Sequence, residues 1–228
     1  MVQTGTGIPL MLSLLAILLP LIPIVIIFVR RTWQLDTMIF LGVICLFSCL
    51  QHLLIYMPQS QPGNTAIINS LFGLAELGLL LYLYRLIIRA KWATELLHTV
   101  LIAFASVAIT MYALGGMMKY AAPLAMTAAF ILLLVSVVAL VQLIRHKQLY
   151  IFQSPMFWIA AGNICFFSMY LLTGVLLVRG TSTPSLQQEK TILLSVLHVI
   201  RFAFFIIAAA TVWPPKQTDG SVKNHPWQ

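Results

Sequence analysis

Acidic side chains are scarce in this chain of 228 residues: five Asp and Glu stand against thirteen Lys and Arg, and charged residues of both signs make up only 8%. Soluble domains carry about a quarter of their residues as charges, so there is too little polar surface to coat a particle in water. Cysteine is scarce too. Cys45, Cys49 and Cys165 all lie inside apolar runs, which argues against an extracytoplasmic disulfide framework. Long polar segments are missing as well, leaving no room for a kinase, nucleotide-binding or DNA-binding domain. Any output must pass through helices or through a separate partner.

What is present is hydrocarbon. The chain is 61% hydrophobic with a mean hydropathy of +1.00. A spanning helix needs roughly 20 mainly apolar residues, and the sequence predicts seven, at 8–29, 37–57, 65–88, 93–114, 120–144, 155–178 and 190–213. The expected fold is therefore all-α: a polytopic seven-helix transmembrane domain over 1–214, with the lipid bilayer as its surroundings. The polar remainder, 215–228, is expected to be a disordered tail.

The formal charge of +8 reads as topology rather than as affinity for nucleic acid. Arg30 and Arg31, Arg85, Arg89 and Lys91, Arg145 and Lys147, and Lys216 and Lys223 fall on one side of the membrane. Only Lys119, Arg179 and Lys190 fall on the other. The richer side is expected to be cytoplasmic, which puts the N-terminus outside and the C-terminus inside, in the inner (plasma) membrane. The opening MVQTGTG lacks the basic n-region of a secretory signal, so the first span is expected to be retained, with kinks at Pro20 and Pro23.

Arg201 stands in the middle of LLSVLHVIRFAFFII, residues 193–207. An arginine at a helix centre costs about 2.5–3.5 kcal/mol on insertion scales, so it must face protein or water and find an anion. Glu76 is the one carboxylate in the interior of a predicted span; Asp36, Glu95, Glu189 and Asp219 sit at span ends or beyond. Matching depth and opposite sign predict that the two pair. His198 lies three residues before Arg201, on the same helical face, and Asn69 lies seven before Glu76. His52 is in the outer half of the second span, and Asn163 and Tyr170 are seven apart in the sixth.

Two readings compete for these residues. Polar side chains in membrane bundles often serve as interhelical glue, each hydrogen bond giving on the order of 1 kcal/mol or less. Yet an intramembrane ion pair stabilises little once desolvation is counted, and one bond does not explain five further convergent polar side chains. The predicted ligand-binding set is therefore His52, Asn69, Glu76, Asn163, Tyr170, His198 and Arg201, around a pocket open to the outer side.

Neither a metal nor a cofactor is assigned, and no residue is assigned a catalytic role. His52, Glu76 and His198, or Cys45-x3-Cys49-x2-His52, contain metal-ligating types, but neither matches a tight spacing, and Arg201 would repel a cation. Retinal is excluded because the last span has no lysine beyond Lys190 at its outer end. Ala121, Ala125 and Ala129 recur every four residues, as close helix packing requires. ICLFS (44–48) and ICFFS (164–168) echo each other, and the same parallel aligns Ser70 with Ser195 and Glu76 with Arg201. That suggests a three-plus-one-plus-three repeat.

The stretches AIINSLFGLAELGLLLYLYRLI, FWIAAGNICFFSMYLL and LLSVLHVIRFAFFIIAAATVW resemble an uncharacterised family of small seven-span membrane proteins of Bacteroidota, often encoded beside histidine kinases. The resemblance covers most of the chain. It departs in the last span, where the family tends to carry His and Asn and this chain has His198 followed by Arg201. It implies a sensory role with a membrane histidine kinase as candidate partner. The leading expectation is a sensor that binds a small ligand, an anion being the candidate. The alternatives are a small-solute transporter, a lipid-modifying enzyme using His52, His198 and Glu76, and an assembly protein whose polar core is glue.

Overall fold

The computed structural model describes residues 7–56, 62–88, 91–115, 117–145, 151–178 and 184–212. The expected tail at 215–228 lies outside the described residues. Eight α-helices follow in order: α1 Gly7–Leu18, α2 Leu21–Val29, α3 Asp36–Tyr56, α4 Pro62–Arg85, α5 Lys91–Gly115, α6 Met117–Arg145, α7 Pro155–Val178 and α8 Pro184–Thr211. Short 3-10 turns at Thr32–Gln34 and Ile151–Gln153 lead into α3 and α7. Six of these helices, α3 to α8, are long and apolar enough to cross a membrane. By helix composition the protein is a helical, multi-pass membrane protein.

The first predicted span differs from expectation. It is broken into α1 and α2, and its apolar helical stretch, Leu14–Val29, is shorter than the other six. The cause is local. Pro20 has no N–H to give to the preceding turn and sits at the N-cap of α2 with φ −61° and ψ −22°. Pro23 falls in the first turn of α2, where a backbone N–H would lack an intrahelical partner anyway. Both short helices pack against α3 and α8, so together they fill one position in the bundle.

Helix packing closes a ring. The α1–α2 pair packs on α3, α3 on α4, α4 on α6, α6 on α7, α7 on α8, and α8 back on α1 and α2. Helix α5 lies outside, held mainly by α4 and α6. Its exposed Ile102, Ile109 and Leu114 are an outer surface suited to lipid. The ring's interior is built by helical periodicity: in α4, Leu77, Leu80, Leu81 and Tyr84 are buried at spacings of three and four.

Two features set the position of α8. Gly162 of α7 lets the helices approach closely, because a Cβ there would lie 2.7 Å from Phe204 Cβ and 3.5 Å from the backbone oxygen of Arg201. At the far end, Arg30 donates through Nη1 to the carbonyls of Ala210 and Val212. These are C-terminal carbonyls that the helix cannot satisfy itself, and a cation there also suits the helix dipole.

Candidate functional site

Arg201 is 1% exposed, and its guanidinium is held from three directions. Its Nη1 lies 2.5 Å from Glu76 Oε1, so the pair expected from depth and charge is formed, between α8 and α4. The contact is an ion pair by distance rather than a well-directed hydrogen bond. Its Nε donates to Asn163 Oδ1 at 2.8 Å. Its ζ-carbon lies 4.7, 5.1 and 5.2 Å from the ring centres of Phe166, Phe167 and Phe205. The negative faces of these rings offset part of the charge's desolvation.

From Asn163 a chain of hydrogen bonds runs towards the C-terminal end of α4. Arginine has no acceptor, so Asn163 must present its oxygen to Arg201 and its amide nitrogen elsewhere. That nitrogen donates to Tyr84 Oη at 2.8 Å. Tyr84 Oη lies 2.8 Å from Ser136 Oγ, which donates to the carbonyl of Leu132 at 2.6 Å. A serine has one hydroxyl hydrogen, and Ser136 uses it on Leu132, so Tyr84 is the donor to Ser136. Every donor in the chain therefore points the same way, from Arg201 through α7 and α4 to the backbone of α6. Bonds aligned in this manner polarise and strengthen one another.

The opposite side of Arg201 is built differently. His52 of α3 and His198 of α8 meet edge to face, with ring centres 4.8 Å apart. His198 also packs on Phe166 at 4.7 Å and lies nearly parallel to Phe202 at 6.3 Å. Among the described residues, His52 Nε2, His198 Nδ1 and Arg201 Nη2 are buried without a hydrogen-bond partner. Buried polar atoms of this kind are rare in native structures; here they gather beside one ion pair.

The other predicted residues divide. Tyr170 is half-buried, stacks on Phe166 at 6.1 Å and lies within electrostatic reach of Glu76. Asn69 is not brought into the cluster. It is exposed, accepts a 3.0 Å hydrogen bond from Gln51 Nε2 across the α3–α4 seam, and stands two turns, about 10 Å, from Glu76 along α4. A cleft of about 10 Å³ lies between α3 and α4, bordered by Ile44, Ser48, Gln51, Phe72 and Glu76, and of the predicted set it takes in Glu76 alone. That is room for about one water molecule.

Sequence reasoning passed over Tyr84, Ser136 and the three phenylalanines. Ser136 carried a signal, as the single polar residue of ILLLVSVVAL, 131–140. Tyr84, eight residues after Glu76, lies on that residue's helical line. Among the described residues, no group of three His, Cys, Asp or Glu side chains is placed to hold a metal ion. No family model, curated protein or solved structure matches the chain.

Proposed function

We propose that this protein is a non-enzymatic sensor of the inner membrane in which a small anion is the ligand and the Glu76–Arg201 pair is the switch. The supporting observation is the group of buried nitrogens without partners, His52 Nε2, His198 Nδ1 and Arg201 Nη2, beside the ion pair. A carboxylate or phosphate supplies acceptors for all three and competes with Glu76 for Arg201. Because the cleft beside Glu76 is water-sized, binding requires α3 and α4 to part. A ligand moves such an equilibrium only through its different affinity for the two states, and freeing Glu76 provides that difference.

In this reading α1 and α2 together make the first of seven spans, the N-terminus is outside and the C-terminus cytoplasmic. Arg30, clasping the end of α8, carries movement of α8 to the cytoplasmic face, where a partner such as a membrane histidine kinase receives it. The kinase rests on the family resemblance alone.

The test is thermal unfolding of the purified chain in detergent with millimolar phosphate, acetate or succinate. At least one anion is expected to raise the midpoint by several degrees, as ligand linkage requires. His198→Phe, which keeps a ring in place, is expected to lose that shift. If no anion stabilises the unmodified protein, the cluster is glue and the reading fails. A second reading, the transporter, is favoured by one observation: Glu76 and Arg201, aligned by the internal echo, face each other in space. Anion uptake into proteoliposomes that disappears in Glu76→Gln would favour it over the sensor.

A further inference from the structure

A second constellation lies on the seam between α4 and α5, away from the cluster around Arg201. Arg85, in the last turn of α4, is exposed, with its ζ-carbon 5.6 Å from the centre of the Tyr82 ring. Its Nη1 lies 3.4 Å from His98 Nε2 on α5. Arg201–Glu76 is the only ion pair among the described residues, and none of their carboxylates neutralises Arg85. The nearest acid along α5, Glu95, stands one turn before His98, is exposed and does not pair with it.

Below Arg85 and His98 the seam opens into a groove of about 40 Å³, floored by Gly78, Leu97 and Leu101. Gly78 leaves the floor open: a Cβ there would meet only Leu101 Cδ1, at 3.9 Å. From Arg85 to Gly78 the groove follows α4 for about 10 Å. Because α5 is the outermost helix, the groove faces the surroundings of the bundle rather than its interior.

We propose that this groove binds an anionic phospholipid, its phosphate on Arg85 and His98 and the start of an acyl chain over Gly78. Charge complementarity selects the occupant. A guanidinium fork matches phosphate oxygens, and basic pockets between membrane helices take anionic head groups. The Arg85–His98 contact is long for a hydrogen bond and yields readily to a phosphate oxygen between the two. The apolar floor distinguishes a lipid from a free anion, which would have no use for it.

Native mass spectrometry of the full chain in detergent tests this, with phosphatidylglycerol, phosphatidylcholine or inorganic phosphate added separately. Phosphatidylglycerol is expected to be retained about fivefold more than phosphatidylcholine, the factor that one well-placed cation confers. Arg85→Gln should bring the two lipids level. Gly78→Leu, which fills the floor, should lower retention of both. Equal retention by the unmodified protein would overturn the proposal, as would a preference that survives in Arg85→Gln. Binding of inorganic phosphate as strong as that of phosphatidylglycerol would replace the lipid site with a free-anion site. The comparison on the unmodified chain decides the matter even if a variant fails to fold.

Discussion

On one side of Arg201, Asn163, Tyr84 and Ser136 hand hydrogen bonds in a single direction until the carbonyl of Leu132 takes the last. On the other side, His52 and His198 touch each other and the surrounding rings but leave a nitrogen apiece without a partner. Asn163, Tyr84, Ser136 and His52 are buried and His198 is half-buried, so burial alone does not separate the two sides. Satisfaction does. A fully bonded network fixes helix positions and specifies one packing. Unpaired buried nitrogens stabilise nothing, and their retention calls for another explanation. In the proposed reading the Asn163–Tyr84–Ser136 side serves architecture and the His52–His198 side meets the ligand.

The largest effect should come from the residue both halves share. Arg201→Met leaves the half-buried Glu76 without its counter-ion and Asn163 Oδ1 without its donor. Breaking a buried pair from one side typically costs about 3–5 kcal/mol. Thermal unfolding in detergent should show that loss, and the double variant with Glu76→Gln should recover a large part of it. A double variant as unstable as the sum of the two singles would mean that the pair is not energetically coupled. Arg201 would then be held by the rings and Asn163, and the ion pair would be incidental.

Gly162→Ala should follow. The added methyl would meet Phe204 Cβ at 2.7 Å, so α7 and α8 must separate by some tenths of an ångström. Overpacking of this kind costs about 1–3 kcal/mol. Because Asn163 is the next residue, the shift also stretches its bond to Arg201. The stabilisation by anions should therefore change together with the midpoint, whereas a purely steric defect would leave it unaltered.

Much of the bundle was legible in the sequence because a bilayer imposes a length and a composition on any helix that crosses it. Helices α3 to α7 begin and end within three residues of the predicted spans, and α8 begins six residues earlier than predicted. The exception, the break between α1 and α2, comes from Pro20, whose effect on a neighbouring turn is easy to foresee as a kink but not as an interruption. The Glu76–Arg201 pair was legible too, since a lone acid and a lone arginine at one depth have few alternatives. The order of helices around the ring and the outer place of α5 were not, because hydropathy carries no information about which neighbour an apolar helix chooses. Tyr84 escaped for a related reason. At the end of a leucine-rich stretch beside Arg85, its sequence context is that of an interfacial residue, and only the approach of α7 and α6 shows its hydroxyl to be buried between Asn163 and Ser136.

The smallest effects provide the sharpest comparison, because nearly the same change can be made on both sides. Tyr84→Phe removes one oxygen and leaves the ring. Asn163 Nδ2 then loses its acceptor, and a buried donor left unsatisfied costs about 1–3 kcal/mol. His198→Phe also leaves a ring, now between His52, Phe166 and Phe202, and the buried Nδ1 it removes has no hydrogen-bond partner among the described residues. Its effect on the midpoint should stay within about 0.5 kcal/mol, the range of substitutions that break no buried interaction. If His198→Phe proved the more damaging of the two, the His198 ring would be held by a bond the protein cannot do without, and the division between the halves would collapse. If Tyr84→Phe alone destabilises while His198→Phe alone abolishes the response to anions, stability and function reside on opposite sides of one arginine.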